Sequence, residues 1–216
     1  TGIPIAVITN SSMLPCKSVM EDLSMVDWVS LKVDTVDVII WNLINRPADK
    51  LYLEEILNNI CLFKDLYKGI LCTETMLING INSSIGNIST LAEFIQKINP
   101  LIAYLSIPIR PPSESFVKLP DAEKVNLAWQ IFKARQINAE LLTGYEGTDT
   151  GYTGNIYDDI LNITAVHPLR EDSLAKLLEN DNSDYEVVNS LIHQRLIKAV
   201  TYEGNKYFIR DFHPLI

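Results

Sequence analysis

Cysteine, histidine, positive charge and long apolar runs are all in short supply in this chain, and each shortage excludes something. There are three cysteines in 216 residues, Cys16, Cys61 and Cys72, far apart and odd in number. That excludes a disulfide framework and fits a reducing cytoplasm. None stands in a CxxC or CxxxC spacing, so there is no local metal motif, and Cys61 and Cys72 are expected to pack in a core. The three histidines, His167, His193 and His213, all fall near the C-terminal end without a cysteine or carboxylate at ligand spacing, and structural roles are expected for them. Basic residues number 18 against 27 acidic ones, giving a net charge of -9, so the surface as a whole repels nucleic acid phosphates and DNA is not an expected partner. No apolar run reaches the roughly 18 to 20 residues that span a bilayer, which excludes a membrane-spanning helix. The chain opens Thr1-Gly-Ile-Pro-Ile-Ala-Val-Ile8 with neither a basic segment nor an initiator Met, a start that suggests a fragment or a processed product without a signal peptide. No nucleotide-cradling loop follows a strand: residues 144–154 are glycine-rich but match neither GxGxxG nor GxxxxGK[ST]. Ser11 and Ser12 lack a nucleophile elbow.

What remains is an ordinary globular composition, 47% hydrophobic and 21% charged, with room for one large domain or two small ones. Through the first two thirds, strand-like and helix-like segments alternate. Strands are predicted at Pro4 to Thr9 (a buried run), Val29 to Asp34, Ile70 to Ile78 and Leu101 to Ile107. Between them, helices are predicted near Ser18 to Leu23, Val36 to Ile44, Leu51 to Tyr67 and Ser89 to Ile98, with a long helix inside Asp121 to Leu141. Helices of this length between strands imply parallel βαβ units, whose ligand sites lie at the carboxyl ends of the strands.

One short stretch carries the strongest chemical signal. In Trp28-Val-Ser-Leu-Lys-Val-Asp34 the polar Ser30, Lys32 and Asp34 alternate with the apolar Val29, Leu31 and Val33. Alternation places the polar three on one face and the apolar three on the other. Helices would cover the apolar row, and the polar row would line the inner wall of an open α/β barrel. Glu74 alternates onto the same face as Met76 and Ile78, where it would hold substrate or pair with Lys32.

Near Thr143 the character changes. Residues 144–154 hold four glycines and no aliphatic side chain and read as a linker. Helix-like segments follow at Ile156 to Ile163, Arg170 to Glu179 and Asp184 to Arg195, then a hairpin, Ile197 to Tyr202 and Lys206 to Arg210, turned at Glu203-Gly204-Asn205. Three helices followed by a hairpin form the winged helix-turn-helix pattern. Residues 156–216 carry ten acidic and six basic residues, a net of -4, which argues against DNA and for a protein or substrate-presenting role, with RNA open if Lys198, Lys206 and Arg210 cluster on the wing.

Ile8 to Ser11, Val29 to Asp34, Asn45 to Pro47, Glu74 to Asn82 and Ile107 to Pro112, in this order and spacing, resemble the later half of a radical S-adenosylmethionine (SAM) barrel. The resemblance covers residues 1 to about 120 and is to Fe-S oxidoreductases related to the wyosine-forming tRNA enzymes and the glycyl-radical activating enzymes. It implies SAM and a 4Fe-4S cluster. The CxxxCxxC cluster loop and the Gly-Gly-Glu segment of that family are absent from this chain, so the resemblance implies that both lie upstream and that the chain alone is inactive. Carried over by position, Thr9 and Asn10 stand where a family strand ends near SAM, with Ser11 in place of a glycine, so that turn is expected to differ. Ser30, Lys32 and Asp34 fall on the strand that contacts the ribose and carboxylate of SAM. Ile78 and Gly80 fall on the adenine-contacting segment, where Met76 replaces the first Gly of a Gly-x-Ile-x-Gly pattern. Arg110 ends the last of these strands and would bind SAM or an anionic substrate, or serve at the surface.

The resulting expectation is an α/β chain: a partial (β/α) barrel of radical SAM type over residues 1–143, a linker over 144–154, and a winged-helix module over 155–216. The implied activity is that of a cytoplasmic oxidoreductase whose parent reductively cleaves SAM to a 5′-deoxyadenosyl radical, acting on a small-molecule, protein or RNA substrate. The rivals are a winged-helix transcription regulator with an α/β effector-binding domain and a non-catalytic α/β binding protein. An incomplete barrel would also leave edges open to association between molecules.

Overall fold

Short runs of β-branched and aliphatic residues pair in sequence order into one parallel sheet. In the computed structural model, which describes residues 2–144 and 153–212, these strands are β1 (Ala6–Thr9), β2 (Trp28–Lys32), β3 (Ile70–Met76), β4 (Ile102–Ser106) and β5 (Ala139–Leu142). Their order is β1-β2-β3-β4-β5, with all four pairings parallel. The crossovers contain α1 (Lys17–Leu23), α2 (Val38–Asn45), α3 (Leu53–Leu66), α4 (Ile85–Ile98) and α5 (Ala122–Ala134). Parallel crossovers are right-handed. When every crossover also steps the same way along the sheet, all the helices land on one face. That is a barrel wall, not a doubly wound sheet.

The buried core lies between that face and the helices. Val29, Leu31, Ala103, Leu105 and Ala139 of the strands pack with Ile56, Ile60, Phe63, Ile88, Ile95, Ala128 and Phe132 of the helices. Local signals set the helix ends. Asp37 starts α2 by accepting from the Ile39 and Ile40 N–H groups, and Asp121 starts α5 by accepting from the Lys124 N–H at 2.9 Å. The Lys124 side chain and N–H together hold the Asp121 carboxyl below the usual carboxylate range. At the other end, α2 and α4 stop at Arg46 (φ 42°) and Asn99 (φ 52°), each in the left-handed region and each followed by proline.

Three elements differ from the sequence expectation. Helix α4 begins four residues before the predicted Ser89, because Ser84 caps it through the Asn87 N–H. Residues 139–142 form a strand and not a helix end. Helix α5 breaks at Gln136 (φ 61°), the Ala103 N–H pairs with the Asn138 carbonyl, and Trp129 donates to the Ala139 carbonyl at 3.0 Å, so tertiary contacts override helix formers. The run through β1 is not buried: it is the edge of the sheet, and Ile8 is 70% exposed.

The chain divides into two units, Thr1–Pro108 with Glu114–Thr143, and Ile109–Ser113 with Gly144–Ile216. Residues 145–152, most of the expected linker, and His213 lie outside the described residues. The second unit runs α6 (Ile156–Val166), β6 (Leu169–Arg170), α7 (Glu171–Asn180), α8 (Glu186–His193), β7 (Ile197–Tyr202) and β8 (Asn205–Arg210). Its antiparallel sheet has the order β6-β8-β7. Ile160, Leu174, Leu177, Val188, Leu191, Ile197 and Phe208 form its core. The β7–β8 hairpin turns on Glu203 (φ 47°) and Gly204 (φ 74°), the paired positive dihedrals of a two-residue primed turn. Arg170 holds Asp172 through its Nε (2.8 Å) and Nη2 donors, which keeps that carboxyl below its usual range.

Strand β1 leaves an open edge flanked by exposed Ile3, Ile5 and Ile8. Unblunted edges of this kind template pairing between chains. Sedimentation velocity on the 216-residue chain is expected to show concentration-dependent association, suppressed by Ile8→Lys. A strictly monomeric chain at all concentrations contradicts an open-edged sheet.

Candidate binding site on the open face of the sheet

The parallel registers fix which side chains share a face. Lys32 pairs with Glu74, Glu74 with Tyr104, and Tyr104 with Glu140, so these four form one transverse row across β2 to β5. Ile8, Ser30, Cys72 and Ile102 form the row below. Val29, Leu31, Ala103 and Leu105 occupy the opposite, helix-covered face. Trp28, Cys72 and Ile102 take no part in the helix-side core, whereas Val29 and Leu71 do. The polar face is therefore the one that the helices of this unit leave bare.

At the carboxyl ends of β2 and β3 the polar side chains interlock. Asp34 Oδ1 accepts from the Met76 N–H at 2.8 Å and pairs with Lys32 Nζ at 3.1 Å. Lys32 Nζ also lies 3.8 Å from Glu74 Oε1, which accepts from the Ser106 hydroxyl at 3.0 Å. Asn82 closes the arrangement. Its Nδ2 donates to the Asp34 carbonyl (2.9 Å) and the Met76 carbonyl (2.8 Å), and its Oδ1 accepts from the Ile78 N–H (2.7 Å). Thr75 Oγ1 donates to the Val33 carbonyl at 2.7 Å. The Met76–Asp34, Asn82–Asp34, Thr75–Val33 and Ser106–Glu74 bonds each join the end of one strand to its neighbour, while the Ile78–Asn82 and Asn82–Met76 bonds brace the β3 exit itself.

Two buried oxygens of this cluster have no hydrogen-bond partner: Asp34 Oδ2 and Ser30 Oγ. The Asp34 side chain is only 1% exposed. A carboxylate oxygen withheld from water costs free energy unless a donor reaches it. One ammonium, Lys32, stands among two carboxylates, Asp34 and Glu74, so the cluster keeps an unbalanced negative charge. It suits a ligand that presents hydroxyl or N–H donors to Asp34 while offering Lys32 an anionic group. Nearby, burial pushes the Cys72 thiol up, and burial together with Cys72 and Glu140 pushes the Tyr104 phenol up.

Ser30, Lys32 and Asp34 thus come together as the alternation requires, with Glu74 beside them. Ile78 is buried just beyond β3 and tied to Asn82. Gly80 has a φ of 73°, open space where a Cβ would stand, and an N–H directed at Ser83 Oγ. Thr9 pairs in register with Leu31, which sets it on the helix-side face, and its Oγ1 accepts from the Ser11 N–H. Asn10 is exposed and engaged by Ser12. Ser11 takes φ 64°, a left-handed backbone that favours glycine. Arg110, in the Ile109–Ser113 segment, clusters with the second unit. On the wing, Lys198 pairs with Asp211 at 3.0 Å and Lys206 with Glu171 at 2.8 Å. Sequence reasoning gave no role to Asn82 or Ser106; both act across strands, and neither has a local pattern to betray it. Among the described residues no group of three or more His, Cys, Asp or Glu could hold a metal ion, so the side chains described do not fit an iron-sulfur cluster.

No family model matches the chain. A UPF0026 protein of Methanocaldococcus jannaschii is 38% identical over 211 residues, covering 97% of this chain and 66% of the relative. This chain therefore spans just under two thirds of that relative's length. Among solved structures, a domain of pyruvate-formate lyase-activating enzyme from Bacteroides vulgatus matches with a TM-score of 0.53 at 21% identity, over 65% of this chain and 81% of that one. A radical SAM methyltransferase from Sphaerobacter thermophilus matches with a TM-score of 0.51 at 20% identity, over 66% of this chain and 41% of that one. Over about two thirds of the chain the fold is similar to the radical SAM partial barrels. The comparisons thus agree with the one-faced parallel sheet described above.

Asn82 makes the sharpest test of this architecture. Asn82→Ala removes three hydrogen bonds and leaves buried backbone groups unpaired, so it is expected to cost about 2–4 kcal/mol. All three tryptophans, Trp28, Trp41 and Trp129, lie in the first unit, so urea unfolding followed by tryptophan fluorescence reports it. A loss below about 0.5 kcal/mol, the range of neutral surface changes, contradicts the role given to Asn82.

Proposed function

We propose that the first unit forms part of the SAM pocket of a radical SAM oxidoreductase, whose cluster is held by residues outside these 216. The observation that carries the reading is the buried, unpartnered Asp34 Oδ2 beside Lys32, on the bare face of a sheet with the radical SAM fold. A ribose diol supplies the donors that Asp34 lacks, and Lys32 offers an ammonium to the amino acid carboxylate of SAM. Ser30 Oγ adds a buried, unpartnered hydroxyl on the same face. Ile78 and Gly80 fit an adenine, one as an apolar contact and the other by letting the ligand approach the backbone closely. When bound, SAM supplies a 5′-deoxyadenosyl radical on reductive cleavage, which abstracts hydrogen from a substrate. What these residues do is grip and orient: the hydrogen bonds to Asp34 Oδ1 fix the carboxylate so that Oδ2 faces the ligand.

In this reading the second unit is a winged-helix module that presents a substrate or a partner protein. Its net charge of -4 over residues 156–216 and the pairing of Lys198 and Lys206 with carboxylates speak against DNA reading and a regulator role. Among the described residues no helix is long and apolar enough to cross a membrane. The free cysteines support a reducing cytoplasm as the place of action.

The test uses the longer parent protein with its cluster reconstituted without oxygen. Calorimetry is expected to show SAM binding that Lys32→Ala weakens by about tenfold, roughly 1.4 kcal/mol. Reduction of the wild-type protein is expected to release 5′-deoxyadenosine. Unchanged affinity in the variant removes Lys32 from the site, and a reduced protein that neither binds nor cleaves SAM overturns the reading.

A further inference from the structure

The second unit contains a feature that its core does not explain. Arg210 closes β8 and His167 caps the C-terminus of α6, two residues before β6 begins. The β6–β8 ladder pairs Arg170 with Tyr207 and Leu169 with Phe208. His167 is fully extended (φ -158°, ψ 155°), so continuing that register by two residues sets it directly opposite Arg210. Residues opposite one another in an antiparallel pair project to the same side. By alternation that side is the one shared by Leu169 and Phe208, which face the core.

Each of these two residues keeps a buried nitrogen without a hydrogen-bond partner, Arg210 Nη1 and His167 Nδ1. The nearest carboxylate in sequence, Asp211, pairs with Lys198 at 3.0 Å. A guanidinium does not shed its charge, so a nitrogen of this kind shielded from water and unpaired is costly. Arg210 Nη1 and, in its Nδ1–H tautomer, His167 match what an oxyanion requires: a charged fork with a second donor beside it.

We propose that Arg210 and His167 form an oxyanion-binding site at the β6–β8 end of the second unit, which receives a phosphate or carboxylate group of a ligand or partner. The site is independent of the pocket in the first unit. Its ligand completes the hydrogen bonding that Arg210 Nη1 lacks.

The experiment is an NMR titration of the ¹⁵N-labelled 216-residue chain with inorganic phosphate, and separately with acetate, at ionic strength held constant by sodium chloride. Saturable shifts are expected at the amides of His167 and Arg210 and at the Arg210 Nε–H. Arg210→Met is expected to abolish the response or to raise its midpoint at least tenfold, and His167→Gln to raise the midpoint severalfold. A stronger response to phosphate assigns a phosphoryl ligand, and a stronger response to acetate a carboxylate. The proposal is overturned if neither anion gives a saturable shift, or if Arg210→Met titrates like the wild type. Should Arg210→Met fail to fold, His167→Gln decides: an unchanged midpoint overturns the site.

Discussion

The buried carboxylate of Asp34 is the constraint on which the first unit turns. One of its oxygens is committed to the Met76 N–H and Lys32, and the other is buried without a hydrogen-bond partner. A charge removed from water is tolerated only where its surroundings are fixed. Asn82 does the fixing, by bonding the Asp34 and Met76 carbonyls and the Ile78 N–H at once. The exits of β2 and β3 are thereby locked together, and the strand ends become a rigid rim.

This rim matters because the sheet is one-sided. A strand order that advances monotonically, with right-handed crossovers, stacks all five helices of the first unit on one face. The other face must then be either apolar and covered or polar and functional. Here it carries Ser30, Lys32, Glu74, Tyr104 and Glu140 in adjoining rows. A topology that frees a face and a sequence that makes that face polar reach the same conclusion from different starting points. The second unit shows the same logic in small form: a compact core of Leu174, Leu177, Leu191 and Phe208, and polar groups at its sheet end that the core does not satisfy.

Period-two alternation made the row Ser30, Lys32 and Asp34 legible in the sequence, because a strand projects its side chains by parity alone. The hairpin at Glu203-Gly204 was legible for the same kind of local reason. Strand β5 was not: Ala139-Glu-Leu-Leu142 is built from helix formers, and only pairing with β4 and the Trp129 hydrogen bond make it a strand. The exposure of Ile8 was hidden because an apolar run reads alike at the edge and at the centre of a sheet. Asn82 was hidden because the strand it ties to β3, reached at the Asp34 carbonyl, lies 48 positions away. Alternation cannot say which oxygen of Asp34 is used and which is open.

The most direct measurement is a crystal structure of the protein that carries these 216 residues, grown with S-adenosylhomocysteine, a stable and close analogue of SAM. The account predicts electron density for the nucleoside on the bare face of the sheet, with a ribose hydroxyl donating to Asp34 Oδ2. It is contradicted if Asp34 Oδ2 is instead satisfied by another group of the protein while the nucleoside binds elsewhere.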